Sequence, residues 1–174
     1  MDLSIGTFNS FNAKGKLVAN PVISGYLNDY YFENRYNYEA ANSASINIGK
    51  RIFKNIHHVE IIPLGGLVFG SFKGITAELQ TSIDFNKWIM LCDNQFGFEY
   101  LVLGKSIYLN WSVIRYKLSR LFQIGITNVV QQQVNAESTF DKGLTVVLFL
   151  NKWSVRFYCY NYQIAKRYYW LGIR

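Results

Sequence analysis

The sequence predicts an all-β chain, closed as an antiparallel up-and-down transmembrane β-barrel of about twelve strands, with ten as the alternative count. Three observations predict it. Period-two alternation of apolar and polar residues runs through nearly the whole chain, and helical i, i+3, i+4, i+7 spacing is sustained nowhere. Tight connections alternate with generally longer ones. Aromatic residues make up 17% of the chain and gather beside the tight connections.

Breaks in the alternation place strand starts near Asp2, Lys16, Tyr30, Ser43, His57, Gly74, Trp88, Ser106, Arg120, Lys142, Trp153 and Lys166. In the third strand, expected over Phe32 to Glu39, Glu33, Arg35, Asn37 and Glu39 share one face while Phe32, Tyr36 and Tyr38 share the other. In the fourth, Ile46, Ile48 and Ile52 oppose Ser45, Asn47, Gly49 and Arg51. The sixth is the cleanest, with Ile75, Ala77, Leu79, Thr81, Ile83 and Phe85 against Thr76, Glu78, Gln80, Ser82 and Asp84. The seventh sets Trp88, Met90, Cys92, Phe96, Phe98 and Tyr100 against Asp93, Gln95, Gly97 and Glu99, and the eleventh sets Trp153, Val155, Phe157 and Cys159 against Ser154, Arg156, Tyr158 and Tyr160. The register of the first, second, fifth and eighth strands is weaker, which keeps the count of ten open. Dividing 174 residues among twelve strands leaves roughly 14 or 15 each, a membrane-spanning strand plus a turn.

Tight connections are expected at Asn28-Asp29, Lys54-Asn55, Asn86-Lys87, Leu118-Ser119 and Asn151-Lys152. Other links are expected at Asn12 to Gly15, Ala41 to Asn42, Ser71 to Lys73, Leu101 to Lys105, Asn135 to Asp141 and Gln163 to Ala165. Outer-membrane barrels turn tightly on the periplasmic side, so both termini are expected to be periplasmic and the strand number even. Tyr30, Phe32, Phe53, Phe85, Trp88, Phe122 and Trp153 then form an interfacial aromatic girdle beside the tight turns. Pro21 and Pro63, the only prolines, are expected at bulges or strand ends.

Composition closes several other classes. The longest apolar stretch, Leu144 to Leu150, is broken by Thr145, which excludes a helical span. One domain over 1–174 is the expectation for this length. A net charge of +7 raises nucleic acid, but the basic residues are scattered singly, and no nucleic-acid partner is expected. Met1 to Gly6 shows no basic segment followed by an apolar one, so an exported chain is expected to be the processed form. Cys92 and Cys159 stand alone in the apolar phase and read as buried or lipid-facing thiols.

A soluble lipocalin-like barrel carrying an apolar ligand alternates as well, and it is the competing reading. The membrane reading prevails on layered rings at strand ends, on the width of a twelve-stranded lumen, and on a charged content of 17%, against about 25% in soluble domains. A closed barrel also satisfies its backbone in lipid.

Tyr31 to Glu39, Ile48-Gly49-Lys50, Pro63 to Gly70 and Tyr108 to Ser112 resemble small outer-membrane β-barrel proteins of Gram-negative bacteria, mostly of uncharacterised function. The likeness in rhythm runs from about Asp2 to the C-terminus. It implies the barrel fold and a bacterial outer-membrane location, and no settled activity. Such barrels tend to end in an aromatic residue; this chain ends Leu171-Gly172-Ile173-Arg174, so the expectation is either that a terminal aromatic residue has been removed or that the insertion signal is weak.

The candidate functional residues are the charges in the inward phase. Glu33, Arg35, Asn37, Glu39, Arg51, Glu60, Glu78, Gln80 and Arg156 are expected to line the lumen as a polar network, either filling it or tuning the passage of ions. Catalysis is not expected: His57 and His58, the only histidines, stand near Glu60 with no serine motif. Adjacent histidines point to opposite faces of a strand, so no metal site is expected. Gly65, Gly66 and Gly70 lack the Lys-Ser/Thr of a phosphate loop, and no cofactor is expected. The expected function is a non-enzymatic barrel, serving as a structural or accessory component of an outer-membrane assembly or as a narrow passive pore. Its expected partners are membrane lipid or lipopolysaccharide and other outer-membrane proteins, the last through a small-residue strip such as Gly65 or Ala77.

Overall fold

The structure is a computed structural model, and it describes residues 2–12, 17–54, 58–100, 106–134, 137–162 and 167–173. Thirteen strands occupy these residues: β1 (Asp2–Asn12), β2 (Leu17–Leu27), β3 (Tyr30–Tyr36), β4 (Ser43–Lys50), β5 (Ile52–Lys54), β6 (Val59–Gly70), β7 (Gly74–Phe85), β8 (Trp88–Glu99), β9 (Ser106–Lys117), β10 (Phe122–Gln133), β11 (Thr139–Leu150), β12 (Trp153–Tyr160) and β13 (Tyr168–Ile173). Every pairing is antiparallel, and β1 pairs with both β2 and β13, which closes the sheet. β4 and β5 are two pieces of one wall strand, both pairing with β6, so the barrel has twelve strands.

The break between β4 and β5 has a local cause. Gly49 faces Leu64 and Ile52 faces Ile61 in one unbroken register, and between them Arg51 and Lys50 stand beside Pro63. A proline has no N–H for the ladder. On its other side Arg51 donates its N–H to the Asp29 carbonyl at 2.7 Å, continuing the β3–β4 ladder. Pro21 acts similarly: the β2–β3 ladder ends at Val22 opposite Arg35, beside that proline. Neither proline ends its own strand, as had been expected of it; each lies inside one and ends a ladder to the neighbour.

Asparagine sets the tight turns. Asn28, Asn86 and Asn151 each open a two-residue connection with φ of 54–55°, a left-handed conformation that Asn tolerates better than most side chains. Two expected boundaries are corrected. The β9–β10 connection spans 118–121, since Leu118 and Ser119 both donate their N–H to the Phe122 carbonyl. β11 begins at Thr139, because Thr139 and Phe140 still pair with Gln131 and Val130. The links expected at 101–105 and 163–165, and parts of those at 12–15, 54–55 and 135–141, lie outside the described residues.

The barrel is apolar outside and polar within. Ile5, Ile48, Ile75, Phe96, Ile126 and Trp153 are 48–62% exposed on the outer phase. On the inner phase Asn47, Thr76, Gln95, Thr127 and Thr145 are buried. An outer wall of this kind suits hydrocarbon, not water. The outer ends of β1 and β13 both lie at the tight-turn end, where Asp2 faces Tyr26 and Ile173 faces Val155.

Candidate functional site in the lumen

The inward phase of β3 carries Glu33 and Arg35, and that of β7 carries Glu78, three strands further round the wall. The β4 residues between them, Ser45, Asn47 and Gly49, have short side chains, which leaves the space that Arg35 crosses. Its Nη2 donates to Glu78 Oε1 at 2.7 Å and its Nε donates to Glu33. Tyr31 Oη donates to the same Glu33, and Gln80 Nε2 to Glu78 Oε1 at 2.8 Å. Arg35, Glu33 and Glu78 are all less than 8% exposed. Gly66 serves this crowding from β6, for a Cβ there would collide with Asn47 and Thr76, whose side chains bond over it at 2.8 Å.

A second group stands nearer the tight turns. Glu60 faces Arg51 Nη1 at 3.8 Å and accepts from Tyr26 Oη at 3.3 Å, while the Arg51 guanidinium lies 4.5 Å over the Tyr26 ring. Arg156, on β12, lines the tight-turn end of the lumen. Arg115 does the same from β9, 4% exposed, with its Nε unpartnered among the described residues.

The third strand stops short of its expected end. Asn37 takes φ of 58°, accepts the Asn42 N–H on its side-chain oxygen at 2.7 Å and donates Nδ2 to the Ala19 carbonyl at 3.0 Å. Residues 37–42 therefore leave the wall as a loop, and Asn37 and Glu39 are loop residues, not strand residues. The loop folds inward. Glu39 is 6% exposed and accepts from Gln95 Nε2 at 3.1 Å. Tyr38, expected on the outer face, lies under the Arg35 guanidinium at 4.3 Å.

Two cavities occupy the lumen. One of about 300 Å³ lies toward the tight turns, among Glu33, Glu60, Asp93, Arg115 and Arg156. The other, of about 720 Å³, lies toward the longer loops, among Asn37, Glu39, Gln131, Asp141 and Tyr168. Tyr38 and Trp170 line both, so the boundary between the two runs through these rings. Trp170 belongs to an inward aromatic wall on β9, β12 and β13, where Trp111 Nε1 donates to Tyr160 Oη at 3.0 Å and Tyr158, Tyr160 and Tyr168 pack beside it. That wall was missed by the sequence reading, although Tyr158 and Tyr160 flank Arg156 in the polar phase and carried the signal.

On the outer face, Tyr30, Phe85, Trp88 and Trp153 are 46–60% exposed at the tight-turn end, and Phe32 and Phe122 are half-buried. The side chain of Phe53 and all of His57 lie outside the described residues. Among the described residues no cluster of His, Cys, Asp and Glu suits a metal ion.

A closed twelve-stranded barrel with an apolar exterior and a divided polar lumen has the architecture of a small membrane-spanning porin. No protein-family model matches the sequence, and no curated protein does. Among solved structures, KdgM porin superposes with a TM-score of 0.72 at 13% identity, over 97% of this chain and 96% of that one. KdgM porin in complex with disordered oligogalacturonate gives 0.73 at 13% identity, over the same shares. A NanC porin structure gives 0.71 at 10% identity, over 98% of both chains. The shared feature is the small twelve-stranded barrel fold.

Proposed function

We propose that this chain is a narrow passive pore of the bacterial outer membrane, passing small polar solutes. The observation that carries this reading is the pair of cavities, each lined in part by charged side chains, placed end to end in a barrel whose exterior is apolar. Likeness in fold to porins supports it. Lipid or lipopolysaccharide would cover the apolar wall, and the tight-turn end, with both strand termini, would face the periplasm as such barrels are built. The reading requires no catalytic group. The soluble alternative is disfavoured by the outer wall, where Ile, Leu, Phe and Trp would face water. A second reading, a closed barrel serving an outer-membrane assembly, draws on the Arg35 group, which fills part of the lumen.

Single-channel recording in planar bilayers separates the two. The pore reading expects discrete current steps from the wild-type chain, and Tyr38→Ala, which removes a ring shared by both cavities, is expected to raise unit conductance about twofold or more, since passage scales with the narrowest section. Absence of current from both chains at every voltage would count against a pore and leave the structural reading.

A further inference from the structure

Besides Thr7 and Asn9 on β1 and Asn34 on β3, the outer wall carries one larger polar group among the described residues. Cys92 and Asn94 on β8, Tyr108, Asn110 and Ser112 on β9, and Asn128 on β10 share the outward phase with Met90, Phe96, Ile114 and Ile126, which are 39–59% exposed. Their alternates Gln95, Val113 and Val129 are the buried, inward set. The register brings the six together, with Asn94 opposite Asn110, Cys92 opposite Ser112, and Ser112 opposite Asn128. Cys92 and Asn94 stand four and six residues from the tight-turn end of a 12-residue strand. At about 3.3 Å per residue they lie mid-wall, beyond the reach of lipid headgroups.

The group satisfies itself only in part. Asn94 Oδ1 accepts from Asn110 Nδ2 at 2.9 Å and from Tyr108 Oη at 3.0 Å. Asn110 Oδ1 accepts from Ser112 Oγ at 3.0 Å and from Asn128 Nδ2 at 3.3 Å. Two further donations, from Asn94 and Asn110, fall on the Cys92 sulfur, a weak acceptor, and Ser112 Oγ, whose one proton serves Asn110, lies 3.4 Å from that sulfur. Asn128 Oδ1 has no donor among the described residues. A polar group left open toward hydrocarbon is costly, and in membrane proteins such groups mark contacts with other protein.

We propose that a second copy of this chain docks here, wall to wall across β8–β10, inside the membrane. Carboxamides and hydroxyls both donate and accept, so a patch of Asn and Ser is complementary to itself about a two-fold axis. The open Asn128 amide meets in a second copy the chemistry it lacks, and an acyl chain offers none. Small side chains at Cys92, Ser112 and the neighbouring Thr81 let the two walls approach closely. Gly65 and Ala77, opposite one another on the outer faces of β6 and β7, lie on the far side of Phe96 from the patch, and a Cβ on Gly65 would meet nothing within 4 Å. The proposal rests on the membrane reading of the barrel.

The test uses the full chain in lipid vesicles, with Cys159→Ser as background, Cys92 kept because it belongs to the patch, and one cysteine at the exposed turn position Lys87 or Lys152, treated with a short water-soluble bis-maleimide; the chain with no added cysteine is the blank. Lys87 immediately precedes β8, whereas Lys152 lies between β11 and β12, further round the barrel. The expected result is a crosslinked dimer from Lys87→Cys and little from Lys152→Cys. Adding Asn110→Leu and Asn128→Leu should lower the dimer fraction at least about fivefold, as expected for loss of polar contacts in lipid. Unboiled gel mobility reports insertion and folding separately. Failure of every chain to insert sinks the membrane reading and the proposal together; folded, inserted chains that stay monomeric or crosslink equally at both positions overturn the docking proposal alone.

Discussion

Arg35 lies 4% exposed between two carboxylates, and a guanidinium taken out of water is tolerated only with partners of opposite charge in good geometry. Glu78→Gln leaves Glu33 in place but removes the charge at 2.7 Å, so a loss of about 2 kcal/mol is expected in a urea titration of the lipid-embedded barrel, less than for a fully dry pair. The contrast is Asp84→Asn. Asp84 holds Lys117 at 2.5 Å, yet its side chain is 49% exposed, and the change should cost no more than about 0.5 kcal/mol. Equal losses at both positions would mean that the lumen is wet throughout and that the Arg35 group adds nothing special. Alternation shows the inward phase of Glu33, Arg35 and Glu78; their meeting on one guanidinium depends on small β4 side chains between strands that are three apart and is invisible in a linear pattern. The Tyr38 and Trp170 boundary is equally hidden, since it joins residues more than a hundred positions apart.

Strands and turns were far more legible than the site. Eight of the expected starts fall within one residue of the observed ones, at Asp2, Lys16, Tyr30, Ser43, Gly74, Trp88, Ser106 and Trp153, because a period of two and a turn residue reinforce each other there. The third strand shows why the rest failed. Tyr36, Asn37, Tyr38 and Glu39 alternate without fault, and what ends the strand is the left-handed Asn37 together with Pro21 on the neighbouring strand, a non-local cause. Asparagine at the tight turns leads to a prediction at this scale. Asn151→Gly should leave stability within about 0.5 kcal/mol, whereas Asn151→Val should cost about 1–2 kcal/mol, the penalty of a left-handed β-branched residue, read from the same urea titration. A harmless valine would show that the turn follows the strands it joins and does not set their register.

The molecule as a whole inverts the usual arrangement, with Ile, Leu and aromatic side chains outward and Glu, Arg, Asn and Thr inward. This inversion is what makes the barrel, the pore and the docking wall one account, since each needs lipid outside and water within. The closed barrel was legible in the sequence because alternation, turn spacing and ring placement agreed. The division of the lumen was not, because it arises from a loop, residues 37–42, that leaves the wall and folds inside it. The four tryptophans sample both sides: Trp88 and Trp153 stand 47% and 60% exposed on the outer wall, while Trp111 and Trp170 line the lumen. Fluorescence quenching of single-tryptophan chains in vesicles of brominated lipid therefore tests the arrangement most directly. Strong quenching of Trp88 and Trp153 by the lipid, with Trp111 and Trp170 quenched instead by aqueous acrylamide, is the predicted result; lipid quenching of Trp111 and Trp170, or of none of the four, would contradict it.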